Sequence, residues 1–348
     1  MGKWSFEVID TWNDSFSDAN FERWQSLMDS AESKHVFFHP VLVKSWIDTY
    51  RPIRNLTPVF LWGHCDSGNQ MFIPLVLWKR NWKNAFIKSI VPVGYSDFDY
   101  HDPIFSHSLT DEDLTVFWNE LFEFLKIFKA DEILIDGVCH KGCEDAVWQQ
   151  GDMCPSLSLT LMNNDDDLFK FLKTSLRGDV RRQTRRLQEK GVLAFKRYTS
   201  WEEASHTFDK FMTEHRNKWP NAYKAPHFHE NLLKNGLKSG IVDFTAMTID
   251  DVPIAWHLGF HYDGRYYYYM PCGDREFARM SPVKVHLFNL ISESIKNDDK
   301  VFDHLKGDEN YKDGWSDSFQ YVHNVCLVNS NAISKLTTSL SKLIHSLK

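Results

Sequence analysis

The chain has 348 residues, 43% of them hydrophobic and 25% charged, which suits roughly two domains of about 150 residues, each with its own core. Its 26 Phe, 13 Trp and 12 Tyr exclude a disordered or collagen-like chain. A formal net charge of −7 argues against a protein built mainly to neutralise nucleic-acid phosphates, so any anion site must be local.

Along the chain, Phe21, Trp24, Leu27 and Met28 keep helical spacing, and a second apolar-periodic segment runs from Pro40 to Tyr50. Apolar runs 58–62 and 71–78 flank Cys65-Asp66-Ser67-Gly68-Asn69, the turn chemistry of a hairpin. A strand is expected at 90–93, a helix at 114–128 and a short buried strand at 132–135. After residue 155 the order recurs, with a strand at 157–161, a helix at 165–173, a basic helix at 177–190, a strand at 193–198 and a helix at 201–218. The acidic run Asp165–Asp167 suits a helix N-terminus. Strands at 241–248, 252–262 and 266–270 follow, joined by Asp250-Asp251 and by Asp263-Gly264, then a helix at 282–296 and a strand at 300–305. The pattern predicts an α/β (α+β) protein with a boundary near residue 155, hence domains 1–155 and 156–348.

No apolar run reaches the ~18 residues of a spanning helix, and the N-terminus lacks a signal-type apolar core. A cytoplasmic location is expected. The six cysteines, at 65, 139, 143, 154, 272 and 326, show no repeated CxxC and read as reduced thiols. Cys139, His140 and Cys143 are too few ligands for a closed tetrahedral site, so no metal is expected.

Several segments carry candidate chemistry. On the strand 253–262, Ile254, Trp256, Leu258 and Phe260 point one way and Ala255, His257, Gly259 and His261 the other. Beside the glycine, His257 is either a satisfied core histidine or a contact to a ligand that approaches the backbone. Ser281-Pro282 opens a helix as N-cap and first residue. With Lys284, Arg275 and Arg279 nearby, that end is either an ordinary cap or a phosphate or pyrophosphate site. The tract Lys306-Gly307-Asp308-Glu309-Asn310-Tyr311-Lys312 follows a buried strand, where open α/β sheets bind ligands. There Asp308 is either a base for a substrate amine or part of an exit turn. Tyr95-Ser96-Asp97-Phe98-Asp99-Tyr100 interleaves carboxylates and rings, which suits a polyhydroxylated ligand. Arg177, Arg181 and Arg185, with Arg182 and Arg186 beside them, form a basic stripe that is solvated, ion-paired or bound to a diphosphate.

Taken in order, Phe38-His39-Pro40…Trp46, Tyr95–Asp99, Leu176-Arg177…Arg181-Arg182, His215…Trp219, Ala255-Trp256-His257-Leu258-Gly259, Ser281-Pro282 and Asp303…Lys306-Gly307-Asp308-Glu309…Tyr311-Lys312 resemble GNAT acyltransferases of the cellulose-biosynthesis-associated type, relatives of the Fem-type peptidyltransferases. The resemblance spans about residues 20 to 320. It implies two GNAT-like domains side by side, each a mixed central sheet flanked by helices, with the acceptor on the first and acyl-CoA on the second.

The implied activity is N-acylation of a nucleotide-linked amino deoxysugar, such as a dTDP-sugar, for lipopolysaccharide or capsule synthesis. Asp308 and His257 are then the candidate bases. Tyr267, Tyr269, Arg275, Arg279, Ser281, Val283 and Lys284 would hold acyl-CoA. Tyr95, Asp97, Asp99, Tyr100, Arg177, Arg181, Arg182, His215, Trp219, Lys306 and Tyr311 would hold the acceptor. Val283 stands where relatives often carry Gly, and the usual pyrophosphate-loop glycines are absent, which leaves charge compensation to Arg275, Arg279 and Lys284. An O-acyltransferase, a Fem-type aminoacyl transferase and a non-catalytic glycan-binding module are the alternatives. No long helical hairpin of the tRNA-using type is evident between 161 and 250.

Overall fold

The computed structural model describes residues 2–81, 85–141, 148–220, 222, 225–329, 335 and 339; Cys143 lies outside them. Two compact units emerge, one running to Asp152 and resuming at Tyr321, the other spanning Met153–Gln320. The first opens with β1 (Trp4–Ile9), α1 (Trp12–Ser15), α2 (Asp18–Ser30) and α3 (Pro40–Tyr50). Ser17 caps α2 through its hydroxyl, and α3 has Pro at its first position, where a missing N–H costs nothing. Next come β2 (Asn55–Cys65), β3 (Gln70–Lys79), β4 (Lys88–Pro92), β5 (Ile104–Phe105), α4 (Asp111–Leu125) and β6 (Glu132–Val138). Aromatic side chains fill this core: Trp24 and Trp62 each sit 4.7 Å from Phe72. Both indoles keep their N–H satisfied, by Phe38 O and by Asn20 Oδ1, as buried tryptophan requires.

The second unit takes the part of β7 (Trp148–Ser158) from Met153 on, followed by α5 (Asp165–Phe171), α6 (Thr174–Gln188), β8 (Leu193–Tyr198), α7 (Trp201–Lys218), α8 (Phe228–Gly236), β9 (Val242–Ile249), β10 (Val252–Tyr262), β11 (Arg265–Gly273), α9 (Pro282–Lys296) and β12 (Val301–Asp303). The strand expected at 157–161 ends at Ser158, because a turn closes on Leu159 and Asn164 then caps α5. Leu287, Leu290 and Ile291 of α9 pack on Tyr266, Tyr268 and Phe302.

From Tyr321 on, β13 (Ser318–Val328) returns to the first unit and pairs antiparallel with β6, His323 opposite Val138 and Leu327 opposite Ile133. The second unit therefore ends short of the expected 156–348. This return was not legible because β13 is mostly exposed and carries no clean alternation.

The two units share one topology. In the first, β1, β2, β3 and β4 are antiparallel, α4 crosses over, and β6 lies parallel to β4. In the second, β8, β9, β10 and β11 are antiparallel, α9 crosses over, and β12 lies parallel to β11. Helices follow the first of these strands in each unit, α1, α2 and α3 after β1 and α7 and α8 after β8, and an antiparallel strand lies beside the parallel one, β13 beside β6 and β7 beside β12.

Candidate active site

In the second unit, β11 and β12 pair only over Arg265–Val301, Tyr266–Phe302 and Tyr267–Asp303. β11 then continues to Gly273 while β12 stops, so the sheet opens at the carboxyl ends of its parallel strands, where α/β sheets receive ligands. A cavity of about 560 Å³ is lined there by Glu214, Asn217 and Lys218 of α7, Tyr268, Pro271 and Gly273 of β11, the start of α9, and Tyr311 and Trp315 beyond β12.

A bulge decides which tyrosine faces this space. Leu258 pairs with Met270 and Phe260 with Tyr267, so Gly259 alone opposes Tyr268 and Tyr269. The cavity wall is Tyr268, and neither Tyr267 nor Tyr269 lines it. Tyr267 is buried and Tyr269 packs 5.0 Å from Phe260. Burial holds the Tyr268 hydroxyl well above its usual pKa, which keeps it protonated.

His257 is not a base open to substrate. It is fully buried, its Nδ1 lies 3.0 Å from Tyr266 Oη, and its Nε2 accepts from the Tyr269 N–H at 3.2 Å. The room expected beside Gly259 is filled by this ring: a Cβ on Gly259 would meet His257 Cε1 at 2.3 Å. Burial lowers the imidazole pKa far below 6.5. Asp308 is exposed and absent from the cavity wall, so the carboxylates facing the cavity are Glu214 and Asp274. The loop carrying Asp308 is fastened by buried Lys312, whose Nζ donates to the carbonyls of Leu305, Lys306 and Gly307 and pairs with Glu309 at 2.9 Å.

Ser281 does not cap α9 with its side chain. Its backbone is left-handed, φ +46°, and its carbonyl takes the Lys284 N–H at 3.0 Å. Pro282 has no N–H to offer. The cations expected to compensate are themselves matched: Lys284 pairs with Asp179, and Arg275 with Glu214 at 3.1 Å. Arg279 is exposed, off the cavity wall, and its carbonyl accepts from Arg186. Val283 lines the cavity against Gly273, where an added Cβ would come 2.8 Å from Val283 Cγ2. Lys218 makes no ion pair among the described residues and stands over the Trp219 ring at 5.5 Å.

Of the remaining expected contacts, Tyr311 lines the cavity, whereas Trp219, His215 and Lys306 do not. His215 is buried, and that burial pulls its pKa down to about 4. Arg177 donates to Leu172 O, Arg181 stacks on Phe169, and Arg182 pairs with Asp179, so the basic stripe serves its own unit. Tyr95, Asp97, Asp99 and Tyr100 belong to the first unit. Tyr100 is core, against Phe37, and Asp97 accepts from the Trp46 indole at 3.0 Å. Tyr95 and Asp99 are half-buried, as is Asp97, and Ser96 is the exposed member of that loop.

Sequence reading missed Glu214, Asn217, Lys218 and Trp315, and among the tyrosines of 266–269 it singled out Tyr267 and Tyr269 rather than Tyr268. The first three fall at i, i+3 and i+4 on α7, a one-sided spacing visible in the sequence. Among the described residues no cluster of His, Cys, Asp and Glu is placed to hold a metal, and no helix is long and apolar enough to cross a membrane.

Residues 174–313 match the family model for an acetyltransferase (GNAT) domain. No curated protein sequence matches the chain. In fold it is similar to FemX, with a TM-score of 0.60 at 13% identity over 91% of this chain and 98% of FemX. A conserved protein of unknown function from Bacteroides thetaiotaomicron gives 0.56 at 10% identity, covering 93% of this chain and all of the other. The C-terminal domain of a putative lysylphosphatidylglycerol synthetase from Agrobacterium fabrum gives 0.54 at 11%, covering 94% and 95%. The second unit thus carries a GNAT-type acetyltransferase domain, and the chain is an acyltransferase.

Proposed function

We propose that the chain uses acyl-CoA to acylate the amine of a nucleotide-linked amino deoxysugar, in the cytoplasm, as a step toward lipopolysaccharide or capsule. The observation that carries acyl transfer is the cavity between the diverging ends of β11 and β12 within the matched domain, with Tyr268 in its wall. The neutral amine attacks the thioester carbonyl, the C–S bond breaks, and sulfur leaves with the electron pair. Glu214, which faces the cavity, takes the proton that the amine loses. Tyr268, kept protonated, donates a hydrogen bond to the departing sulfur. The acceptor class is supported by the sequence resemblance and by Tyr95 and Asp99, a ring and a carboxylate suited to a sugar.

A second reading, an aminoacyl donor without CoA, is favoured by one feature: α9 begins with a proline, and Lys284 and Arg275 beside it are already ion-paired. Calorimetry with CoA separates the two. Mass spectrometry of nucleotide amino sugars incubated with acetyl-, hydroxybutanoyl- and longer acyl-CoAs tests the acceptor. Acylated sugar supports the proposal; no heat with CoA and no product from any pair moves the chain to the second reading.

A further inference from the structure

We propose that His257 is a positioning residue that fixes the β11 bulge, and through it Tyr268, by accepting the Tyr269 N–H. This inference rests on acyl transfer in the β11–β12 cavity and assigns a role that the transfer step itself does not.

A bulge leaves a backbone donor without its ladder partner, and an unpaired buried N–H is costly. Within this bulge the Tyr269 N–H donates to a side chain: His257 Nε2 lies 3.2 Å away. An acceptor at Nε2 requires the proton on Nδ1, and the structure supplies what fixes that tautomer. Nδ1–H donates to Tyr266 Oη at 3.0 Å, the Tyr266 hydroxyl donates to Asp243 Oδ2 at 2.7 Å, and Asp243 Oδ1 accepts from Arg197 Nε at 2.8 Å. The direction of each bond is forced, because the carboxylate only accepts and the guanidinium only donates.

The same imidazole lies flat on the Tyr268 ring, centroids 4.4 Å apart and planes 8° apart. Phe302 and His304 bound that ring at 5.8 and 5.9 Å. Gly259 permits the arrangement, since a Cβ there would meet both His257 Cε1 and Tyr267 O. One side chain thus sets both the backbone of the bulge and the plane of the cavity tyrosine.

Two substitutions divide the functions of the ring. His257→Gln places an amide oxygen near Nε2 and keeps the acceptor for Tyr269, losing the link to Tyr266. His257→Asn places an amide N–H near Nδ1 and keeps that link, losing the acceptor. With the full chain and acyl-CoA, His257→Asn is expected to lower kcat by about 50-fold at nearly constant KM, and His257→Gln by no more than about 5-fold. Amide exchange at Tyr269, followed by NMR, should quicken in His257→Asn and stay slow in His257→Gln. Equal loss of kcat in both variants, or loss of kcat in step with melting temperature alone, overturns the inference while leaving acyl transfer standing. A wild-type chain that transfers no acyl group overturns the proposed function instead, and Tyr269 exchange still decides whether His257 holds the bulge.

Discussion

The imidazole of His257 and the phenol of Tyr268 stack 4.4 Å apart with nearly parallel planes, and Tyr268 lines the cavity. Replacing Tyr268 by Phe keeps that stack and removes only the hydroxyl. Because one donor aimed at developing charge is worth about 10²-fold in rate, kcat should fall by about that factor. Stability should move by less than ~1 kcal/mol, since no hydrogen bond within the core is removed. Unchanged kcat in steady-state assays would strip Tyr268 of its role in the chemistry.

The cavity mouth is set by Gly273. Its missing Cβ leaves room for Val283, whose Cγ2 would stand 2.8 Å from an added methyl, and a β-branched side chain at the start of a helix has little rotamer freedom with which to retreat. Gly273→Ala should therefore push the N-terminus of α9 outward and weaken CoA binding by about 10-fold, the scale of ~1.4 kcal/mol of overpacking. Adding Val283→Ala should restore affinity. Calorimetry on both variants reads this directly, and a double variant no tighter than the single one refutes the steric account.

How much of this was visible in the sequence follows from the range of the forces involved. The β2–β3 turn at 65–69 and the Pro282 start of α9 are local, and each stands where residue pattern puts it; the alternation expected along β10 is broken by a register shift between Pro253 and Ala255, which brings Ile254 and Ala255 into one cluster. Identifying the cavity tyrosine needed the pairing register, because the bulge opposite Gly259 displaces the alternation that points to Tyr267 and Tyr269. Lys284 read as a free cation because its partner, Asp179, lies 105 residues away on α6. The same holds for β13, which is defined by its pairing with β6 rather than by its own pattern.

Lys312 is buried to 3% exposure, and its ammonium serves three carbonyls and Glu309. Lys312→Met keeps most of the stem and leaves those acceptors without a donor. The cost should be about 3 kcal/mol, in the range for breaking a buried charged hydrogen-bond set. Hydrogen exchange should rise first between Leu305 and Trp315, with Tyr311 losing its place in the cavity wall. Protection there equal to wild type would show that the loop is held by other contacts.

In the first unit, buried Asp102 accepts from the backbone N–H groups of Cys139 and His140 and from His140 Nδ1. Burial alone would raise its pKa, but the His140 hydrogen bond and charge bring it down to about 2. His140 is raised by the same bond. A carboxylate with a depressed pKa contributes stability above its unfolded value, near 4, and that contribution fades as pH falls toward about 2. A histidine with a raised pKa contributes below about 6.5 and loses that contribution as pH rises through its folded value. The second effect should be the smaller, because the His140 side chain is 58% exposed. Asp102→Asn should cost about 2 kcal/mol at pH 5.5, since its amide presents donors to donors. It should also flatten the acid limb in urea unfolding. A variant with the wild-type acid limb would assign that limb to other carboxylates.

Lys218 is the cavity cation that no carboxylate answers among the described residues, in contrast to Lys284 with Asp179 and Arg275 with Glu214. An unpaired ammonium is free to meet an anionic donor without first giving up an internal partner, whereas recruiting Lys284 or Arg275 means breaking an existing pair. Lys218→Met should then raise the KM for acyl-CoA by about 10-fold with kcat within about 2-fold, the pattern of a contact made equally in ground and transition states. Because the amine is exposed, the wild-type KM should climb with salt between about 0.05 and 0.5 M, and the variant's should climb less. Lys284→Met should weaken binding less than Lys218→Met while freeing Asp179, which also carries Arg182. If Lys284→Met proves the more damaging in the same assay, the ion pair opens on binding and the phosphate contact belongs to α9 after all.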